Sequence, residues 1–298
     1  MRTDSKAGED GLRGKIRADT LLRSLPLAAY VLISLAPVFY LVLTAFKLPA
    51  DTAAFPPRFF PGFAAPENSL WFRFTLGNFA RVFSDSESLL YLFNSVFIAA
   101  ASTLASVAAG SLAGYGFSRF PFRGGRDALF LVLSTRMLPP LALAVPISFM
   151  YSRMGILDTR FGLILLYTCF NLSFTTWMMK AFFDEIPQAF EEAAMLDGHS
   201  RFQAVRRVVL PQVVPGLAAT AAFSLISSWN EYAFALTLTS TDAVTMPVRI
   251  HSIIGDSGSV PWGPMAAAAT LFMLPIVFFG LMMRRHLVRG ATFGTVKG

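Results

Sequence analysis

The sequence predicts an all-α, polytopic membrane protein with six transmembrane helices. Three observations point there. Hydrophobic residues make up 54% of the 298 and charged residues only 14%. Several apolar runs reach about 20 residues, the length of helix that crosses ~30 Å of hydrocarbon. The cations are sorted between alternate loops, as the positive-inside rule expects of a multi-span chain.

The elements follow in order. Residues 1–24 are polar, carry six Lys/Arg and read as a disordered cytoplasmic tail. The next run, Leu25 to Phe46, exceeds the 7–15 residues of a signal-peptide core, so an uncleaved first span (25–46) is expected. Residues 47–89 contain five prolines and are expected to form an ordered lip outside the membrane. The second span, 90–117, carries Ser102, Ser106, Gly110 and Gly114 at four-residue intervals, with Ala101, Ala105, Ala109 and Ala113 one step over. Small residues at this spacing let helix backbones approach closely in lipid. The third span, 128–150, is interrupted by Pro139-Pro140, whose missing donors should kink or break the helix. A broken helix at membrane depth faces protein or a wet cavity. Spans at 161–183, 212–238 and 265–283 complete the transmembrane body, residues 25–283, and 284–298 form a second cytoplasmic tail. With both termini inside, the inner segments hold 17 Lys/Arg and the outer segments seven, which favours that orientation.

Charge and motif content exclude other classes. The net charge of +7 is accounted for by loop cations, and no basic stripe interleaves with aromatics, so nucleic acid is not an expected partner. The single Cys169 permits no disulfide within the chain, and His199, His251 and His286 are too scattered for a metal cluster. A phosphate-binding loop needs G-x-x-x-x-G-K-[ST]. Around Gly14-Lys15, Glu9 stands where the first Gly belongs and Ile16 where the Ser/Thr belongs. No cofactor is expected in the chain itself, and no catalytic motif with paired carboxylates, H-E-x-x-H or G-x-S-x-G is present to make it an enzyme.

Polar groups inside the spans are few, and each needs a partner or a task, because a mid-membrane charge costs about 2.5–3.5 kcal/mol on insertion scales. Arg136 in the third span and Glu231 in the fifth either pair with each other, reach an interface, or line a hydrophilic route. Asn171, Thr175 and Thr176 add polarity in the fourth span. Trp229 and Asn230 beside Glu231 offer an aromatic face and an amide, which suit a sugar-like solute. The candidate pathway residues are therefore Arg136, Asn171, Trp229, Asn230 and Glu231.

The segment 184–211 is a charged insert between two apolar runs. Pro187 suits a helix first turn, and a helix over 187–196 would end at Asp197-Gly198, with Gly198 at positive φ. Ser200 and Gln203 have capping-box spacing. Phe202, Val205, Val208 and Val209 would then line one face of a second short helix, whose continuation Pro211 discourages, leaving Arg206 and Arg207 near its C-terminal dipole. By physics alone such a helix pair either docks into a partner's groove or lies on the membrane surface.

Glu192-Ala193-Ala194, then Asp197-Gly198, then Val208-x-Leu210-Pro211 resembles the EAA loop of ABC importer permeases, with Val208 in place of the usual Ile and His199 in place of a common Ala. Further stretches are similar to the carbohydrate-uptake branch of that family: AFKLPAD from Ala45, PPRFFP from Pro56, TLGNF from Thr75, YGFSRFPFRG from Tyr115, GILDTRFGLIL from Gly155, WNEYAFALTLT from Trp229 and the tail RGATFGTVKG from Arg289. The resemblance spans residues 25–298 and implies a type I ABC importer transmembrane-domain fold in the bacterial plasma membrane. It implies a second, different permease subunit, a cytoplasmic ATPase dimer that binds ATP and Mg, and an extracytoplasmic solute-binding protein. Coupling to the ATPase would fall to Glu191, Glu192, Ala193, Ala194, Asp197, Gly198, Leu210 and Pro211, with Glu192 as polar anchor, and the C-terminal tail would also reach the ATPase pair. The expected solutes are oligosaccharides, disaccharides or polyols, a neutral one being favoured. A glycerol-phosphate type of permease and, less strongly, an ion-coupled carrier are the alternatives.

Overall fold

The computed structural model describes residues 4–63, 66, 69–253 and 260–292, with side chains over the part of these between 24 and 282. The chain forms two compact units, residues 1–81 with 261–270, and residues 82–260 with 271–298.

In the first unit, α1 (Asp4–Ala45) is followed by α2 (Pro49–Thr52), the parallel strands β1 (Phe60–Gly62) and β2 (Trp71–Arg73), and the start of α3 (Gly77–Ser84). The tail expected to be disordered instead continues the first span as helix from Asp4. Its Lys, Arg, Ala, Glu and Leu residues are good helix formers, and a span already helical removes the cost of nucleation. The proline-rich segment is tied by polar groups. Asp51 is buried, pairs with Arg58 and accepts from the Arg73 backbone N–H at 2.8 Å. Asn78 Nδ2 donates to the carbonyls of Ala45 and Lys47 at 2.9 Å. Lys47 is fully buried, its Nζ 4.4 Å from the Tyr40 ring centre and 5.4 Å from that of Phe72. Burial pushes its pKa down, and the Asp51 carboxylate partly opposes this.

The second unit contains α4 (Ser86–Arg119), α5 (Gly125–Ser134), α6 (Pro140–Met154) and α7 (Arg160–Asp184). They are followed by α8 (Ala189–Leu196), α9 (Arg201–Ala204), α10 (Leu210–Trp229), α11 (Ala233–Leu238) and α12 (Met246–Ser252). Helix α13 (Trp262–Thr292) begins in the first unit and continues in the second. Among the described residues five helices are long and apolar enough to cross a bilayer. A sixth span arises if α5 with the 3₁₀ turn Thr135–Met137 and α6, bent by 91° at Pro139, count as one. The break falls where two successive prolines remove donors from the ladder.

Helices α4, α7 and α10 pack together through the small-residue stripe. Ser102, Ser106, Gly110 and Gly114 are buried, whereas Ala105 and Ala109 of the parallel stripe are exposed. A Cβ on Gly110 would lie 2.1 Å from Thr175 Oγ1, so the close approach of α4 to α7 requires glycine there. Thr175 Oγ1 donates to the Ser106 carbonyl at 3.0 Å, so Thr175 serves packing. Asp158, at φ 54° between α6 and α7, accepts from the backbone N–H groups of Ser240, Thr241, Asp242 and Ala243 and from two hydroxyls. Burial alone would raise its pKa, but these donors outweigh it and hold the carboxyl below the usual carboxylate range.

Candidate functional site

Two places in the second unit gather the residues singled out from the sequence. The first is the α8–α9 pair. Gly198 takes φ +87° and closes α8 in a Schellman pattern, with Gly198 N–H donating to Met195 O and His199 N–H to Ala194 O. Ser200 and Gln203 then form the reciprocal capping box that starts α9. Pro211 does not end the second helix. A π turn over Val205–Val209 links α9 to α10, Pro211 sits in the first turn of α10, and Arg201–Trp229 runs as one span. The wider π turn gives Leu210 N–H a partner five residues back, at Val205 O, and so loosens the ladder where the proline brings no donor. Arg206 and Arg207 therefore lie inside a continuous helix, with Arg207 Nη1 2.9 Å from His199 Nε2.

The two neighbouring glutamates face opposite ways. Glu192 is exposed with Ala193, Asp197 and Gly198, whereas Glu191 and Ala194 are buried. Glu191 accepts from Arg119 Nε at 2.5 Å and from Tyr115 Oη at 2.7 Å. Arg119 also donates to the carbonyls of Phe183 and Ile186, each at 3.0 Å. Glu191 thus ties α8 to the end of α4 and, through Arg119, to the α7–α8 turn. Behind it Met179, Phe183, Ile186, Val209 and Val213 form a closed apolar cluster. Phe202 is 73% exposed and Leu196 89% exposed. Leu210 is 41% exposed at the start of α10. The outward surface of the pair therefore includes Phe190, Glu192, Leu196, Asp197 and Phe202. A lone leucine beside the Asp-Gly turn was the available signal for Leu196. For Arg119 and Tyr115, 72 and 76 residues from Glu191, no sequence signal exists.

The second place is a cavity of about 170 Å³ at the break of the third span, lined by Arg136, Tyr167, Asn171, Ser227, Ser228 and Glu231 among others. Arg136 and Glu231 share it but do not pair. The Arg136 guanidinium lies 5.3 and 5.4 Å from the ring centres of Phe174 and Phe223, which stack on each other at 4.0 Å. Its Nη2 donates to Ser227 Oγ at 3.2 Å, and its Nη1 is buried without a hydrogen-bond partner. Glu231 lies just past the end of α10. Its carboxylate accepts from Tyr167 Oη at 2.9 Å and from the N–H groups of Phe234 and Ala235 at 2.9 and 3.1 Å, capping α11. Asn171 Nδ2 donates to Ser228 Oγ at 2.8 Å. Trp229 and Asn230 stand apart from the lining. Trp229 stacks on Phe272 at 4.9 Å and donates to its carbonyl, while Asn230 Nδ2 donates to Ile226 O and closes α10. They adjoin Glu231 in sequence, but the chain turns between α10 and α11.

Known proteins agree with this architecture. The family described as binding-protein-dependent transport system inner membrane component matches residues 106–292. The chain is 34% identical over 230 residues to the trehalose/maltose transport system permease protein MalG of Thermococcus litoralis, covering 76% of this chain and 83% of that one. It is 37% identical over 226 residues to the trehalose transport system permease protein SugB of Mycobacterium tuberculosis, covering 75% and 82%. In fold it is similar to a chain of a bacterial ABC transporter involved in the import of the acidic polysaccharide alginate, with a TM-score of 0.74 and 21% identity over 90% of this chain and 96% of that one. With its helical spans, its broken third helix and the family match over more than half its length, the chain belongs to the binding-protein-dependent transport system inner membrane components, as an ABC importer permease and not an enzyme.

Proposed function

We propose that this permease is one of two transmembrane subunits of a sugar importer and that α8 and α9 are the element it presents to a separate ATPase dimer. The carrying observation is the outward surface of the pair. Glu192, Leu196 and Phe202 stand exposed on helices joined by the Gly198 turn and the Ser200–Gln203 capping box, with the inner side held by Glu191 and Arg119. A slim element with exposed apolar side chains, Phe190, Leu196 and Phe202, and exposed carboxylates, Glu192 and Asp197, suits a cleft in a protein partner better than open water. Its attachment to α4 and α7 transmits any displacement to the transmembrane helices.

ATP and Mg belong to the ATPase in this reading, and a binding protein supplies the solute from outside, with both termini of the permease in the cytoplasm. The relatives named for trehalose and maltose favour a sugar or sugar-like solute. The cavity beside Arg136, Asn171 and Glu231 is its route through this subunit.

The test is reconstitution with the cognate ATPase and binding protein in liposomes. Glu192→Arg and Gly198→Val should insert normally, yet lose uptake and the matching ATP hydrolysis, or hydrolyse ATP without uptake. Normal uptake by both variants removes the coupling role. Uptake by the permease alone, without ATP, transfers the chain to the ion-coupled carriers.

A further inference from the structure

We propose that the Arg136 cavity selects a solute bearing an acidic group, a carboxylate, sulfonate or phosphate on a sugar-sized ring, over its neutral counterpart. The proposal rests on the reading of this cavity as the solute route.

The argument is one of unmatched charge. Within the cavity Glu231 accepts from Tyr167 Oη and from two backbone N–H groups at the start of α11, and it forms no ion pair with Arg136. Among the described residues Arg136 forms no ion pair, and its only hydrogen-bond acceptor is the neutral Ser227 hydroxyl. Two aromatic faces lie against the guanidinium and partly compensate its desolvation, but they do not accept the remaining N–H groups. Nη1 is left buried and unpaired. A buried donor without an acceptor is costly, more so when charged. Arg136 sits in the 3₁₀ turn that ends α5 beside Pro139-Pro140, and Val132 and Leu133, one turn back, have no side-chain acceptor to offer it. A neutral hydroxyl could accept from Nη1, but only an anion also neutralises the cation, and a planar carboxylate can engage the guanidinium in two parallel bonds. The volume of about 170 Å³ is below the ~300–1,000 Å³ of drug-sized pockets, so the cavity takes one ring with its acidic substituent. Asn171, Ser227 and Ser228 supply polar edges for ring hydroxyls.

The experiment uses the assembled importer in lipid nanodiscs, without binding protein, and titrates ligand-dependent thermal stabilisation. The probes are glucuronate, galacturonate and glucose 6-phosphate against glucose and galactose. The expected result is at least ten-fold tighter apparent binding of an acidic sugar than of its neutral parent. That preference should weaken with added salt, fall to near unity in Arg136→Gln and be partly kept in Arg136→Lys, whose unliganded melting point checks that the cavity region still folds. Equal binding of acidic and neutral sugars, lost in Asn171→Leu, overturns the anion preference and leaves the solute route standing. Binding of neither class, or binding that no cavity variant alters, overturns the route and the preference together.

Discussion

Two partly buried arginines in one helical unit meet opposite fates. Arg119 is matched on every side, by the Glu191 carboxylate and by the Phe183 and Ile186 carbonyls. Arg136 has two aromatic rings, one hydroxyl and an orphaned Nη1. A charge fully answered within the chain is part of the architecture. A charge left unanswered at a cavity is a standing cost, retained where something outside the chain can answer it. The α8–α9 joint is therefore a built part, and the Arg136 cavity is an incomplete one.

The largest expected effect tests that contrast directly. Arg119→Met leaves Glu191 buried with Tyr115 as its remaining side-chain donor, and breaking a buried pair from one side costs about 3–5 kcal/mol. Its melting temperature in detergent should drop sharply. Arg136→Met removes a charge that has no counter-ion, so its melting temperature should hold or rise while uptake falls. Equal losses of stability in both variants would break the comparison.

A smaller effect is expected where one helix seam supports both regions. Gly110→Val drives side-chain atoms into Thr175, and overpacking of this kind costs about 1–3 kcal/mol. Thermal unfolding should show that loss, and uptake should fall with it because α4 carries both Arg119 and the serines of the α4–α7–α10 seam. Gly198→Val is milder for the fold, about 1–2 kcal/mol for a side chain forced into the left-handed region. It should abolish coupled uptake while leaving sugar binding at the cavity unchanged, which separates the two regions functionally.

The smallest effect serves as a control outside both. Asp158 has its pKa depressed in the folded chain, so its contribution is present above the unfolded carboxyl value of about 3.9 and is lost as pH falls through the lower folded value. The gap in melting temperature between wild type and Asp158→Ala should be widest near pH 7 and shrink below pH ~4. A gap that widens on acidification would mean that the loop, not the charge, accounts for the difference.

Much of the molecule was legible beforehand for local reasons. Apolar run length located the spans, paired prolines located the break, and glycine and serine with glutamine marked the turn and cap of the α8–α9 pair. Local signals also misled. Pro211 reads as a helix stop, yet the π turn carries the chain past it. The polar N-terminal residues read as a loose tail, yet they extend the first helix. The cavity was half legible, because Arg136, Asn171 and Glu231 are conspicuous in apolar surroundings, whereas Tyr167, Ser227 and Ser228 look like ordinary span residues. Residues 293–298 of the tail motif lie outside the described residues.

By itself the sequence determined the apolar spans, their order and the break at Pro139-Pro140, because hydrophobic length and backbone chemistry act over a few residues. Tertiary structure alone decided which of two adjacent glutamates turns inward, that Arg136 and Glu231 share a cavity without pairing, and that Trp229 and Asn230 leave it. Those outcomes depend on which helix faces meet and where a distant donor lies, as when Arg119 finds Glu191 across 72 residues, and no local pattern carries that information.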